Sequence, residues 1–129
     1  WVSGSESTGS LAAEAARAAL KSAGRDAAAL GLVILATCTP DQPMPFTAAA
    51  VCDAIGATAG SFDLNGACAG FVDSLVAGAG LVATAPGPVL VIVLGLACGG
   101  GRTRAGVGQR LRIESGFANG SDSQFYGSC

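Results

Sequence analysis

Apolar positions recur along this chain in two different rhythms. From Ser10 to Gly24, Ala12, Ala16, Ala19, Leu20 and Ala23 fall at the spacing of one helical stripe. Glu14, Arg17 and Lys21 lie on the other face. The pattern predicts an amphipathic helix with Ser10 as N-cap and Gly24 at the C-terminal turn. Leu32 to Thr37 is instead a continuous apolar run, as expected of a strand buried on both faces. A proline-punctuated loop follows at Asp41 to Pro45. Thr47 is expected to cap a short helix with Ala48, Val51 and Ile55 on one face and Gly56 at its end. Ser61 to Ala67 reads as a short strand, and Phe71, Leu75, Ala79 and Val82 as the stripe of a third helix that Pro86 stops. Val89 to Leu96 is rich in β-branched residues and predicts a further strand. The order α, β, α, β, α, β predicts an α/β fold: a mostly parallel sheet with crossover helices on both faces.

Beyond Ala97 the text changes. Gly99-Gly100-Gly101 opens a Gly-, Ser- and Arg-rich stretch, read as loop or tail, in which Leu111 to Ile113 is a strand candidate. The expected organisation is an N-terminal extension at 1–9, a partial domain at 10–98 and a divergent tail at 99–129.

Composition narrows the function. The chain has 129 residues, half of them hydrophobic and only 12% charged, so it is one domain at most and not a disordered chain. Its 26 alanines and 20 glycines bury little area each, which limits a self-sufficient core. A net charge of −2 does not suit nucleic acid. The 28 uncharged residues between Asp73 and Arg102 are divided by Pro86-Gly87-Pro88, leaving no piece of the ~20 residues a membrane span needs. Five cysteines at wide spacing form no zinc motif and no secreted disulfide framework, which points to reduced thiols in the cytoplasm. Cys38 and Cys52 read as core thiols, and Cys98 as the end of a strand. No residue is histidine, which excludes His-ligated metal and a Ser-His-Asp or Cys-His triad within the chain.

Cys68 is the chemical candidate. It stands in Gly66-Ala67-Cys68-Ala69-Gly70 between an expected strand and an expected helix. Small neighbours permit a sharp elbow, the helix N-terminus places positive potential beside the thiol, and amides at the turn can hold an oxyanion. The alternative is a small buried hydrophobe, a common use of cysteine.

The longer string Phe62-Asp63-Leu64-Asn65-Gly66-Ala67-Cys68-Ala69-Gly70-Phe71 closely resembles the nucleophile segment of β-ketoacyl-acyl-carrier-protein synthase III, a thiolase-fold condensing enzyme. Leu11 to Gly24, Val33 to Pro40, Met44-Pro45 and Val89 to Gly95 are similar to that family in the same register. The resemblance covers about residues 10–97 and implies part of the N-terminal half of a thiolase-like αβαβα fold. It further implies that Cys68 takes an acyl group from acyl-CoA and that malonyl-acyl carrier protein condenses with it, with loss of CO2. No metal or redox cofactor is implied. Asn65 and Ala67 would shape the elbow, and Met44 would lie near a homodimer interface and help close the partner's acyl pocket. The family assists its cysteine with a histidine and an asparagine from its second half, neither of which this chain supplies. From Gly99 on, the family pattern of Asp-Arg and Gly-Asp-Gly-Ala is not followed. The chain alone is therefore expected to be inactive, and its uncovered sheet edges and apolar faces predict association, as a homodimer or with a complementing chain, or poor solubility. The alternative is a non-catalytic half-domain: an assembly module, or a truncated or frameshifted product.

Overall fold

The computed structural model describes residues 7–94, 110–113 and 125–126. Its elements are α1 (Thr8–Ala23), β1 (Leu32–Ala36), α2 (Thr47–Ile55), β2 (Gly60–Leu64), α3 (Gly70–Leu81), β3 (Val89–Val93), β4 (Arg110–Ile113) and β5 (Phe125–Tyr126). The sheet order is β2-β1-β3-β4-β5, with β1 parallel to both β2 and β3.

The handedness of crossovers explains where the helices lie. The chain steps from β1 outward to β2, then back across β1 to β3. Right-handed connections in opposite directions require helices on opposite faces. The core is divided accordingly. Val33, Leu35, Leu90, Ile92 and Leu94 pack with α1 and α2, in a cluster that includes Ala12, Ala16, Leu20, Ala48 and Val51. Ile34, Val89 and Val91 point the other way, toward Phe71, Leu75 and Val82. The two-residue pleat thus converts continuous apolar runs into two separate packing surfaces.

Helix termini differ from the sequence reading in instructive ways. The N-cap of α1 is Ser7, not Ser10: Ser7 Oγ accepts the Ser10 amide at 3.1 Å, and Ser10 Oγ accepts the Ser7 amide at 2.9 Å. Two serines three apart form a reciprocal box, so the helix starts three residues earlier than the sequence pattern suggests. Gly24 and Gly56 close α1 and α2 with φ of 61° and 75°, as expected of glycine at this position. Thr47 is the first residue of α2 rather than its cap. The helix is capped from outside, by Asp63 on β2: Oδ2 accepts the Thr47 amide at 2.8 Å and Oδ1 the Ala48 amide at 2.7 Å.

The stripe expected on α3 is also shifted. Its buried row is Gly70, Ser74 and Gly78, flanked by Phe71, Leu75 and Ala77, while Ala79 faces solvent. Small residues let α3 lie close to the sheet, and a Cβ built on Gly70 would meet Ala36 Cβ at 3.6 Å. The reading of 99–129 as loop or tail needs correction. Arg110–Ile113 pairs antiparallel with β3, and Phe125–Tyr126 antiparallel with β4. The strand candidate at 111–113 is present, and the isolated pair of aromatics extends the sheet. Cys98 lies outside the described residues.

Candidate active site

Parallel strands of an open α/β sheet present their carboxyl ends on one side, where ligands bind. Two loops meet there. One leaves β1 and carries Cys38, Met44 and Pro45. The other leaves β2 and carries Asn65 to Ala69.

The second loop is a tight elbow. After Leu64 the chain turns through Gly66 into a 3-10 turn, Ala67–Ala69, which runs directly into α3. Ala67 has φ of 45°, a left-handed conformation unusual for a residue with a side chain. Such strain concentrates at functional turns. Gly66 is required for a different reason, since its φ of −125° is open to any residue. A Cβ there would stand 2.8 Å from Gly70 Cα and 2.6 Å from Asp73 Oδ2. The turn closes on itself: the Ala69 amide donates to Gly66 O at 2.9 Å and the Gly70 amide to Ala67 O. These two amides are spent inside the turn.

Cys68 is exposed on this elbow and is not packed in the core. Asn65 and Ala67 flank it and are exposed as well. Asp73 sits in the first turn of α3, where a carboxylate is favoured by the helix dipole.

The first loop is held rigidly. Asp41 accepts the amides of Thr8 at 2.7 Å and Gly9 at 2.8 Å, capping α1 from outside, and its own amide donates to Thr47 Oγ1 at 3.1 Å. Thr8 Oγ1 donates to Thr39 O at 2.6 Å. Met44 is 79% exposed at the loop's tip, before a cis bond to Pro45. No described residue buries Met44. Cys38 is exposed, against the expectation of a core thiol, because β1 ends at Ala36 and the turn beyond it lifts Cys38 out of the sheet. Cys52 is the core thiol: burial pushes it up from its usual range, and a hydrogen bond with Ser61 partly opposes this.

Sequence reasoning missed the role of Asp63. The available signal was Phe46: a helix that begins after a residue without a capping side chain needs its acceptor from elsewhere.

The sequence and fold of this chain have counterparts in known proteins. The chain is 55% identical over 71 residues to a β-ketoacyl-[acyl-carrier-protein] synthase III of Roseiflexus sp. (strain RS-1), covering 54% of this chain and 22% of that one. The chain is a homologue of part of synthase III. An acetoacetyl CoA synthase of Streptomyces sp. (strain CL190) is 43% identical over 93 residues, covering 71% of this chain and 28% of the relative. The solved synthase III of Aquifex aeolicus VF5 superposes with a TM-score of 0.68 at 33% identity, over 73% of this chain and 31% of that one. No family model matches. The chain thus spans about a quarter of the length of the curated synthase III relatives it matches.

Proposed function

We propose that this chain carries the nucleophile elbow of a synthase III-type condensing enzyme of fatty acid synthesis, and that it acts only together with residues it does not itself contain. The exposed Cys68 thiol, on a strained turn at the carboxyl end of the parallel sheet, is the observation that carries this reading. In it, Cys68 Sγ attacks the thioester carbonyl of an acyl-CoA and expels the CoA thiolate. Malonyl-acyl carrier protein loses CO2, and the resulting carbanion attacks the acyl-cysteine. The β-ketoacyl product departs on the carrier protein and Cys68 is freed. No metal or redox group takes part in these steps. Met44, Asn65 and Ala67 belong to the acyl-binding side of this reading. The reaction is cytoplasmic, and no helix among the described residues is long and apolar enough to cross a membrane.

The need for assistance follows from chemistry. A thiol of ordinary reactivity gains from an adjacent base, and the sequence contains no histidine. The amides of Ala69 and Gly70 are occupied within the turn. Acyl carrier protein and a complementing chain, or a second copy, are the partners of this reading.

The test is intact mass after incubation with acetyl-CoA. The expected result for the chain alone is no adduct. With the remainder of a synthase III relative supplied as a separate chain, an acetyl adduct appears, and Cys68→Ser abolishes it. A stable complex without an adduct overturns the proposal and leaves a non-catalytic half-domain.

A further inference from the structure

Two exposed cysteines occupy the same end of the sheet, and one of them is the elbow residue. We infer that Cys38 and Cys68 form a reversible disulfide, with Cys38 as the partner that captures an oxidised Cys68. This rests on thiol chemistry alone and not on the acyl-transfer reading.

Three observations place them together. First, β1 and β2 are adjacent and parallel, with Ala36 opposite Leu64, and the ladder runs one residue further: the Thr37 amide donates to Leu64 O at 3.0 Å. Cys38 and the elbow therefore leave neighbouring strands at the same level. Second, the pleat assigns a face. Ile34 packs on the α3 side, and Ala36 Cβ lies 3.6 Å from the position a Cβ on Gly70 would take. Ala36, the last residue of β1 and two residues before Cys38, thus stands beside the start of α3, two residues after Cys68. Third, the turn holding Cys38 is fixed. The Thr39 amide donates to Thr37 Oγ1 at 3.2 Å, and Thr8 Oγ1 ties down Thr39 O. Cys52, by contrast, is buried in the opposite layer with α1 and α2.

The oxidant is a hydroperoxide. The Cys68 thiolate attacks the peroxide oxygen and hydroxide leaves, giving a sulfenic acid. Cys38 sulfur then attacks the Cys68 sulfur, the S–O bond breaks, and the hydroxyl leaves as water with the thiol proton. Two electrons pass from the two sulfurs to one peroxide, and the thiol-blocked state protects Cys68 from irreversible over-oxidation.

The experiment treats the full chain with hydrogen peroxide, caps residual thiols with iodoacetamide and digests before aspartate. That cleavage separates Cys38 (26–40), Cys52 (41–52) and Cys68 (63–72) onto different peptides. The expected result is a linked pair of the 26–40 and 63–72 peptides, two hydrogens lighter than their sum, found in monomeric protein and lost on reduction. In Cys38→Ser that pair is absent, and Cys68 accumulates as sulfinic acid that dithiothreitol does not recover. The inference is overturned if Cys68 reaches sulfinic acid equally in both proteins. It is equally overturned if Cys68 links instead to Cys98, to Cys129 or to a second chain. Because Cys38 is exposed, its substitution leaves the fold intact, and circular dichroism of Cys38→Ser verifies this.

Discussion

The carboxylate of Asp63, in the strand that leads to the elbow, accepts the amide of Thr47 at the start of α2, 2.8 Å away. Its second oxygen takes the Ala48 amide. One side chain therefore satisfies two of the amides that every helix leaves unpaired. It also joins the loop after β1 to the strand before Cys68. Asp63→Asn keeps one acceptor and turns a donor toward the other amide, and Asp63→Ala removes both. The expected loss is about 1–2 kcal/mol for Asn and more for Ala. Urea unfolding checks this as a lowered midpoint at unchanged slope.

Gly66 makes a second, sharper demand. Its backbone angles suit alanine, but the space does not, with Gly70 backbone and the Asp73 carboxylate both under 3.0 Å from an added Cβ. Gly66→Ala forces the turn away from α3. The expected destabilisation is about 1–3 kcal/mol, the usual cost of overpacking. Iodoacetamide labelling of Cys68 should change rate as well, because the elbow moves. The control is Gly80→Ala on the same helix, where nothing lies within 4 Å. There the helix gains propensity and stability rises by a few tenths of a kcal/mol up to about 1.

The two faces of α3 and its sheet give a contrasting pair. Ile34 is fully buried against α3, whereas Val76 is 69% exposed. Ile34→Ala is expected to cost about 2–5 kcal/mol through lost burial and a cavity. Val76→Ala is expected to stay within about 0.5 kcal/mol, since it removes no core contact. Thermal melts of both variants test the assignment. A large loss for Val76→Ala would mean that this face is covered in solution.

Which parts of this architecture were legible in the sequence follows from how local their causes are. β1 and β3 announce themselves because burial on both faces leaves only apolar residues. Gly24 and Gly56 announce the ends of α1 and α2 because left-handed backbone selects glycine. The order of strand, turn and helix around Cys68 was legible, but the 3-10 turn at Ala67–Ala69 is set by local backbone, and the strand ends at Leu64, three residues before the expected Ala67. The stripe of α3 was misread because Gly70, Ser74 and Gly78 are buried for their smallness, and a search for large apolar residues passes over them. The cap of α2 was misread because its acceptor lies sixteen residues away, on another element. β4 alternates polar and apolar residues over Arg110–Ile113 and was legible in part, at Leu111 to Ile113, whereas the two residues of β5 are too few to show a pattern and only pairing with β4 reveals them. Cys38 looked like a core residue because it ends an apolar run, and only the point where β1 stops exposes it.

Cys52 supplies the pH dependence. In the folded chain burial raises its pKa above that of the unfolded thiol, with Ser61 opposing in part. The folded state therefore holds this proton to higher pH than the unfolded state does. Once pH exceeds the unfolded thiol's pKa, unfolding releases a proton, and stability falls as pH rises. The contribution is fully present below the unfolded pKa, near 8.5 for a free cysteine, and is lost progressively as pH climbs through the folded value. Other groups also titrate in this range, so the informative quantity is the difference between the wild-type chain and Cys52→Ala. The alanine chain is less stable at neutral pH, because it loses buried volume. Its stability is expected to fall less steeply above the unfolded thiol's pKa, so the two curves converge at alkaline pH. Urea midpoints measured from pH 7 upward read this directly. Parallel curves would show that Cys52 releases its proton equally in both states.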